Sequence, residues 1–267
     1  MRTKLGIVSL LCVALGAALG CAAEAPKNLT IYLGSSATMK LVLIEPGTFL
    51  MGSPKDEAGR YDDETPHPVT IGAPFYLGTT AVTVDQYAQF AQETGRWHVP
   101  PRFPQTGDQP VVNVSWQDAY EFCDWLTWKT GLMVSLPSEA QWEYSCRAGT
   151  GTAYNSGESV QALAEAAWYK GNSGGRPHSA GQKTPNAWGL YDMHGNVWQW
   201  CADWYGSYPA TGRTDPGGPE RGGAHVLRGG AWSADPRLCR SAYRGQASTG
   251  YMSDNLGFRV VVGVDGP

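Results

Sequence analysis

Three helix signatures of one kind stand between Thr83 and Gly149, and nothing like them follows. Thr83 with Gln86 opens "VDQYAQFAQETG", closed by Gly95, and Ser115 with Asp118 opens "WQDAYEFCDWLTWKTG", closed by Gly131. Ser138 with Gln141 opens "EAQWEYSCRAG", closed by Gly149. In each, a hydroxyl accepts from the third helical N–H while the polar side chain three residues on reaches back, and a glycine ends the helix. A chain so written makes three helices early and folds its remainder by other means. From Thr150 to Pro267, Gly, Asn, Ser and Pro interrupt every few residues, and only "HVLRGGAW" and "LGFRVVVGV" read as brief strands. The 267 residues include 34 glycines and 11 tryptophans. Average glycine usage is about 7%, so this composition suits packed irregular backbone, and its aromatic content argues against disorder.

Upstream, "LVLIEPGTFLMGS" reads as two strands around a Pro-Gly turn, and "PHPVTIGAPFYLGTTAVT" as a further pair. On the second helix, Trp116, Ala119, Tyr120, Cys123, Leu126 and Thr127 form an apolar face expected in the core. No break in composition divides residues 41–264, so one α+β domain is expected, preceded by an export signal (residues 1–23) and a linker (residues 24–40). Arg2 and Lys4 precede an apolar run from Leu5 to Leu19, the pattern of a secretory leader. "ALGC" resembles a bacterial lipoprotein box that would make Cys21 the lipid-bearing first residue and attach the chain to a membrane; cleavage near Ala23 is the alternative. Either way the mature protein is expected outside the cytoplasm, periplasmic or lipid-anchored at the envelope. There, Cys123, Cys146, Cys201 and Cys239 form an even set open to disulfide formation, with three connectivities. None lies in a CxxC pair, so zinc is not expected. A net charge of −4 without any Lys/Arg run gives no reason to expect nucleic acid as a partner.

"PGTFLMGS", "PVVNVSWQDAYEFCDWL", "LPSEAQWEYSCRAGT", "NAWGLYDMHGNVWQW", "VLRGGAW" and "NLGFRVV" follow one another in this order. Together they resemble the formylglycine-generating (sulfatase-modifying factor) superfamily, whose fold is related to C-type lectins. The resemblance covers residues 41–264 and implies a single mixed domain rich in irregular loops. Formylglycine-generating enzymes use two cysteines and copper, the first cysteine four residues beyond the Gly-Gly of "RGG" and the second five later. Counting from Gly230 gives Ala234 and then Cys239, so the chain resembles a divergent member without the full pair, its redox metal unknown.

The resemblance also implies site residues. The segment matching "DMHGNVWQW" holds calcium in the superfamily, which would give Asp192 and Gln199 side-chain oxygens and Gly195 and Val197 carbonyls as ligands. Asp192 stands where Asn is usual and Gln199 where Glu is usual. Trp198 and Trp232 match groove residues, and Cys239 is the remaining catalytic candidate. Arg228, Arg240 and Arg244 are candidates to contact an anionic or peptide ligand, or equally to satisfy backbone carbonyls. A Cys201–Cys239 disulfide is expected; Cys146–Cys239 competes, because the "EYSC" cysteine is bonded in those enzymes. His67 is expected on a surface strand and His194 to point outward, while Trp198, Trp200 and Trp204 bury area in irregular backbone. The implied function is an exported, monomeric oxidative maturation factor for a peptide or protein substrate. The alternative is a non-catalytic binding or accessory protein that keeps the groove.

Overall fold

All three capping boxes form. They open α1 (Val84–Thr94), α2 (Trp116–Thr130) and α3 (Glu139–Arg147), with Thr83, Ser115 and Ser138 each bonded reciprocally to the third helical residue. α3 stops one residue earlier than expected, on Ala148 in the left-handed conformation (φ 45°). In this computed structural model residues 25–34 and 37–264 are described. The expected export signal, with Cys21, lies outside the described residues.

The strands build three sheets. β1 (Asn28–Tyr32), β2 (Thr38–Ile44), β5 (Phe75–Gly78), β12 (Val261–Gly263) and β6 (Val134–Ser135) form one, in the order β1-β2-β5-β12-β6. β3 (Gly47–Met51), β4 (His67–Ile71) and β8 (Arg213–Thr214) form a second, in the order β3-β4-β8. The third runs β10-β9-β7-β11, from β7 (Trp198–Trp204), β9 (His225–Arg228), β10 (Gly245–Ala247) and β11 (Leu256–Phe258). Four expectations change here. The stretch expected as a linker contains β1, which pairs antiparallel with β2 from Asn28↔Val42 to Tyr32↔Thr38. β2 and β3 are not partners: the Pro-Gly step sends them into different sheets, as the intervening Gly-Ala-Pro does for β4 and β5. A fourth helix, α4 (Val160–Ala166), capped by Ser159, lies in the region read as free of helices. The tryptophan-rich segment is strand β7, flanked on both sides, so its rings stand on a paired strand instead of filling irregular backbone.

The main core lies between α1, α2 and the sheets, around Phe90, Phe122, Leu126, Trp200 and Phe258. α2 buries Ala119, Phe122, Cys123, Trp125 and Leu126, while Tyr120 is exposed, so its inward face is turned toward Phe122 and Trp125 from the expected one. Each such large side chain contributes about 1.5–3 kcal/mol by leaving water. A second cluster gathers α3, β3 and β4 around Trp142 and Met193, and a third packs α4 against Ala231, Ala234 and Cys239. No helix among the described residues is long and apolar enough to cross a membrane.

Candidate functional site

The three candidate arginines are engaged inside the protein. Arg228 is fully buried and bonds the Glu143 carboxylate, with its Nη1 donating to the carbonyls of Ser241 and Tyr243. Arg240 grips Glu64 with two bonds of 2.8 and 2.6 Å and also reaches Glu57. Burial works against the charge on Glu64, but the Arg240 guanidinium and the Ser53 hydroxyl hold its carboxyl below the ordinary value. Arg244 bonds Glu139 at 2.7 and 2.8 Å and lies 3.8 Å over the ring of Tyr208. Arg228 and Arg240 are therefore internal ties rather than ligand contacts. The acidic partners, Glu139 and Glu143 on α3, were the missing signal: carboxylates on the inner face of a helix call for buried cations.

The cysteines also depart from expectation. All four described ones are free and buried, so neither Cys201–Cys239 nor Cys146–Cys239 forms. Cys201 packs with the α3 cluster and Cys239 with the α4 cluster, which separates the expected pair. Burial pushes the Cys146 and Cys239 thiols up to about 12. His194 does not point outward: it is fully buried, its Nδ1 donating to the Cys239 carbonyl (2.6 Å) and its Nε2 accepting from Asn155 N (2.9 Å). His67 is buried too, its ring 4.6 Å from that of Tyr208. Ala234, at the position of the missing cysteine, is buried.

In the loop from Asp192 to Gln199, the donors present do not fit a divalent cation. Gln199 Oε1 already accepts from Trp142 Nε1 (2.9 Å) and Arg259 Nε (2.7 Å). Its Nε2 is thereby fixed as the inward group and donates to the Asp192 carbonyl at 2.9 Å. Arg259 was not among the candidates; its signal is a lone guanidinium inside the apolar run "LGFRVVV".

Trp198 does reach a groove. One face of the third sheet supplies the floor of an open cavity of about 530 Å³, with Trp198 from β7, Leu227 from β9, Gly245–Ala247 from β10 and Leu256 from β11. Tyr243 stands tilted against Trp198, ring centroids 5.7 Å apart, and Tyr251 and Asn255 complete the rim with Arg244. Trp232 is elsewhere, its Nε1 donating to the Asp254 carbonyl and its ring edge-on to Phe103. A second cavity of about 520 Å³, which shares Arg244 with the groove, takes in His67, Glu139, Asp203 and Tyr208. Asp203 accepts from Glu139 N at 2.8 Å, and burial, then the neighbouring Glu139 carboxylate, pushes its pKa up to about 7.

Three small sheets, capped helices ahead of a loop-rich half and an aromatic groove define a mixed α/β domain of the formylglycine-generating type. The chain belongs to the sulfatase-modifying factor enzyme 1-like family, whose domain model matches residues 34–264. It is 31% identical to the formylglycine-generating enzyme of Streptomyces coelicolor, over 84% of this chain and 89% of that one. Chaperone protein LppX of Paenibacillus barcinonensis is 26% identical, over 83% of this chain and 88% of the relative. Among solved structures, PvdO from Pseudomonas aeruginosa superposes with a TM-score of 0.83 at 30% identity, covering 91% of this chain and all (100%) of that one.

Proposed function

We propose that this protein is an exported accessory factor that binds an extended segment of a client polypeptide in the Trp198 groove. The observation that carries this reading is the groove itself. Trp198, Tyr243 and Tyr251 offer flat apolar area with polar edges, and β10 is an edge strand of the sheet that floors the cavity. An extended peptide can add to such an edge through main-chain hydrogen bonds while its side chains meet the aromatic floor. The likeness to a protein named a chaperone supports a binding role, and the secretory pattern of residues 1–23 supports a site of action outside the cytoplasm. Oxidative maturation, the role the sequence resemblance implies, keeps its support from the Streptomyces enzyme. It lacks a thiol of the required kind: among the described residues every cysteine is buried.

The test is a peptide array of extended segments of about ten residues, probed with the mature protein, followed by titration of the bound peptides. Trp198→Ala is expected to weaken binding about tenfold, or about 1.4 kcal/mol, with the fold intact by circular dichroism. If the wild type binds no segment, or the folded variant binds as well as the wild type, the groove reading fails.

A further inference from the structure

The loop that begins at Asp192 is tied to protein donors at both ends, through Asp192 and through Gln199. Asp192 and Asn196 carry positive φ (51° and 59°), as does Gly195 between them (70°), so the loop turns tightly over a short distance. Donors crowd its start: Arg259 Nη2 bonds the adjacent Tyr191 carbonyl at 2.8 Å, Arg259 Nη1 the Gly78 carbonyl at 2.7 Å, and Gln199 Nε2 the Asp192 carbonyl at 2.9 Å. Asp192 Oδ2 accepts from Gly181 N at 2.8 Å. Arg259 and Gln199 are both fully buried.

We infer that the Arg259 guanidinium and the Gln199 amide close this loop in place of a divalent cation. Calcium takes roughly six to eight oxygen ligands. Of the two side chains in the expected set, Gln199 has one oxygen, and two donors occupy it. Turning the amide over would set its N–H groups against the Trp142 and Arg259 N–H groups and release the Asp192 carbonyl. The buried positive charge that a cation would bring is already there, on Arg259. Asp192 Oδ1 is the one side-chain acceptor of the set left buried without a partner, so the two side chains together offer a cation a single free oxygen.

Position 199 is thereby the determinant. A glutamate there could keep one oxygen on Trp142 and Arg259, but its second oxygen would face the Asp192 carbonyl across the gap that the amide N–H now bridges. Two acceptors in contact repel, and a divalent cation between them removes the conflict.

The experiment uses purified mature protein, melted in calcium and in chelator, with terbium luminescence excited through the neighbouring tryptophans. For the wild type the melting temperature is expected to be equal in both, with no calcium-competable terbium signal. Gln199→Glu is expected to melt several degrees higher in calcium than in chelator and to give a terbium signal that calcium displaces. A wild-type melting temperature that falls in chelator, or a wild-type terbium signal displaced by calcium, would overturn the inference. A folded Gln199→Glu protein indifferent to calcium would overturn the role given to the amide. If the variant does not fold, the wild-type comparison decides alone.

Discussion

The Sγ of Cys146, on α3, lies 3.7 Å from the Oγ of Ser241 and 3.6 Å from His194 Nε2. The side chain that meets Cys146 is thus a serine two residues beyond Cys239 in sequence, while Cys239 itself packs against Gly230 and Asp235. The pocket has the partners for a cross-link but holds a hydroxyl where the second sulfur would be.

Ser241→Cys is therefore expected to oxidise spontaneously, joining the introduced thiol to Cys146 in a disulfide. It would close a loop between residues 95 apart, for which chain entropy gives up to about 4.7 kcal/mol, and engineered bonds commonly deliver less. Non-reducing peptide mapping and a melting curve with and without reductant check it. Two free thiols at these positions after air oxidation, or a melting temperature unmoved by reductant, would count against the geometry.

Asp203 supplies a pH dependence. Its carboxyl is pushed up to about 7 by burial and by the Glu139 carboxylate, whereas an unfolded aspartate titrates near about 3.9. Between those values the folded chain holds a proton that the unfolded chain has released, so stability falls as pH rises from about 4 to about 7 and levels off above it. Asp203→Asn keeps an acceptor for Glu139 N and removes the titration. Its urea-unfolding free energy is expected to decline less than the wild type's over that window, with the gap opening toward pH 7. Parallel curves for the two proteins would refute the assignment.

Arg240 separates a structural tie from a ligand contact. Replacing it with Met leaves Glu64, bonded at 2.6 Å from Nη2, as a buried carboxylate without its counter-ion. Breaking such a pair costs about 3–5 kcal/mol. Arg240→Met is expected to lose stability of that order in urea unfolding, and Arg240→Met with Glu64→Leu to recover part of it. A single variant as stable as the wild type would return Arg240 to the list of ligand contacts.

What the sequence made legible follows from how local each signal is. The capping boxes are short-range hydrogen bonds between residues three apart, and all three formed where Thr83, Ser115 and Ser138 stand. Trp198 lines an open cavity of the third sheet, while its place in a substrate groove rests on the order of motifs alone. The arginines were half readable: guanidinium groups satisfying carbonyls was one of two readings, and the Glu139 and Glu143 partners lie some 85 to 105 residues away in sequence. The disulfide expectation failed because cysteine parity carries no distance, and Cys201 and Cys239 face different clusters. β7 was misread for a related reason, since its central place depends on pairing with β9 and β11, and neither partner is nearby in the chain.

The last prediction concerns the chemistry of the relatives. Conversion of a peptide cysteine to formylglycine by copper and oxygen needs two soft thiolate ligands that the substrate can approach. At the matching positions this chain has Ala234, which offers no ligand atom, and Cys239, which is buried. Burial drives the Cys239 thiol up to about 12, so at neutral pH the ligating thiolate is scarce. Cys239 is also packed closely against Gly230, where an added Cβ would come within 2.5 Å of Sγ. Copper-loaded protein incubated with a Cys-x-Pro-x-Arg peptide under oxygen is expected to leave the peptide thiol intact by mass spectrometry. Ala234→Cys alone is expected to do the same, since positions 234 and 239 both lie buried in the α4 cluster, out of a substrate's reach. Multiple-turnover formation of aldehyde by the unmodified protein would show that Cys239, or another group, is reachable after all, and would return the oxidative reading to first place.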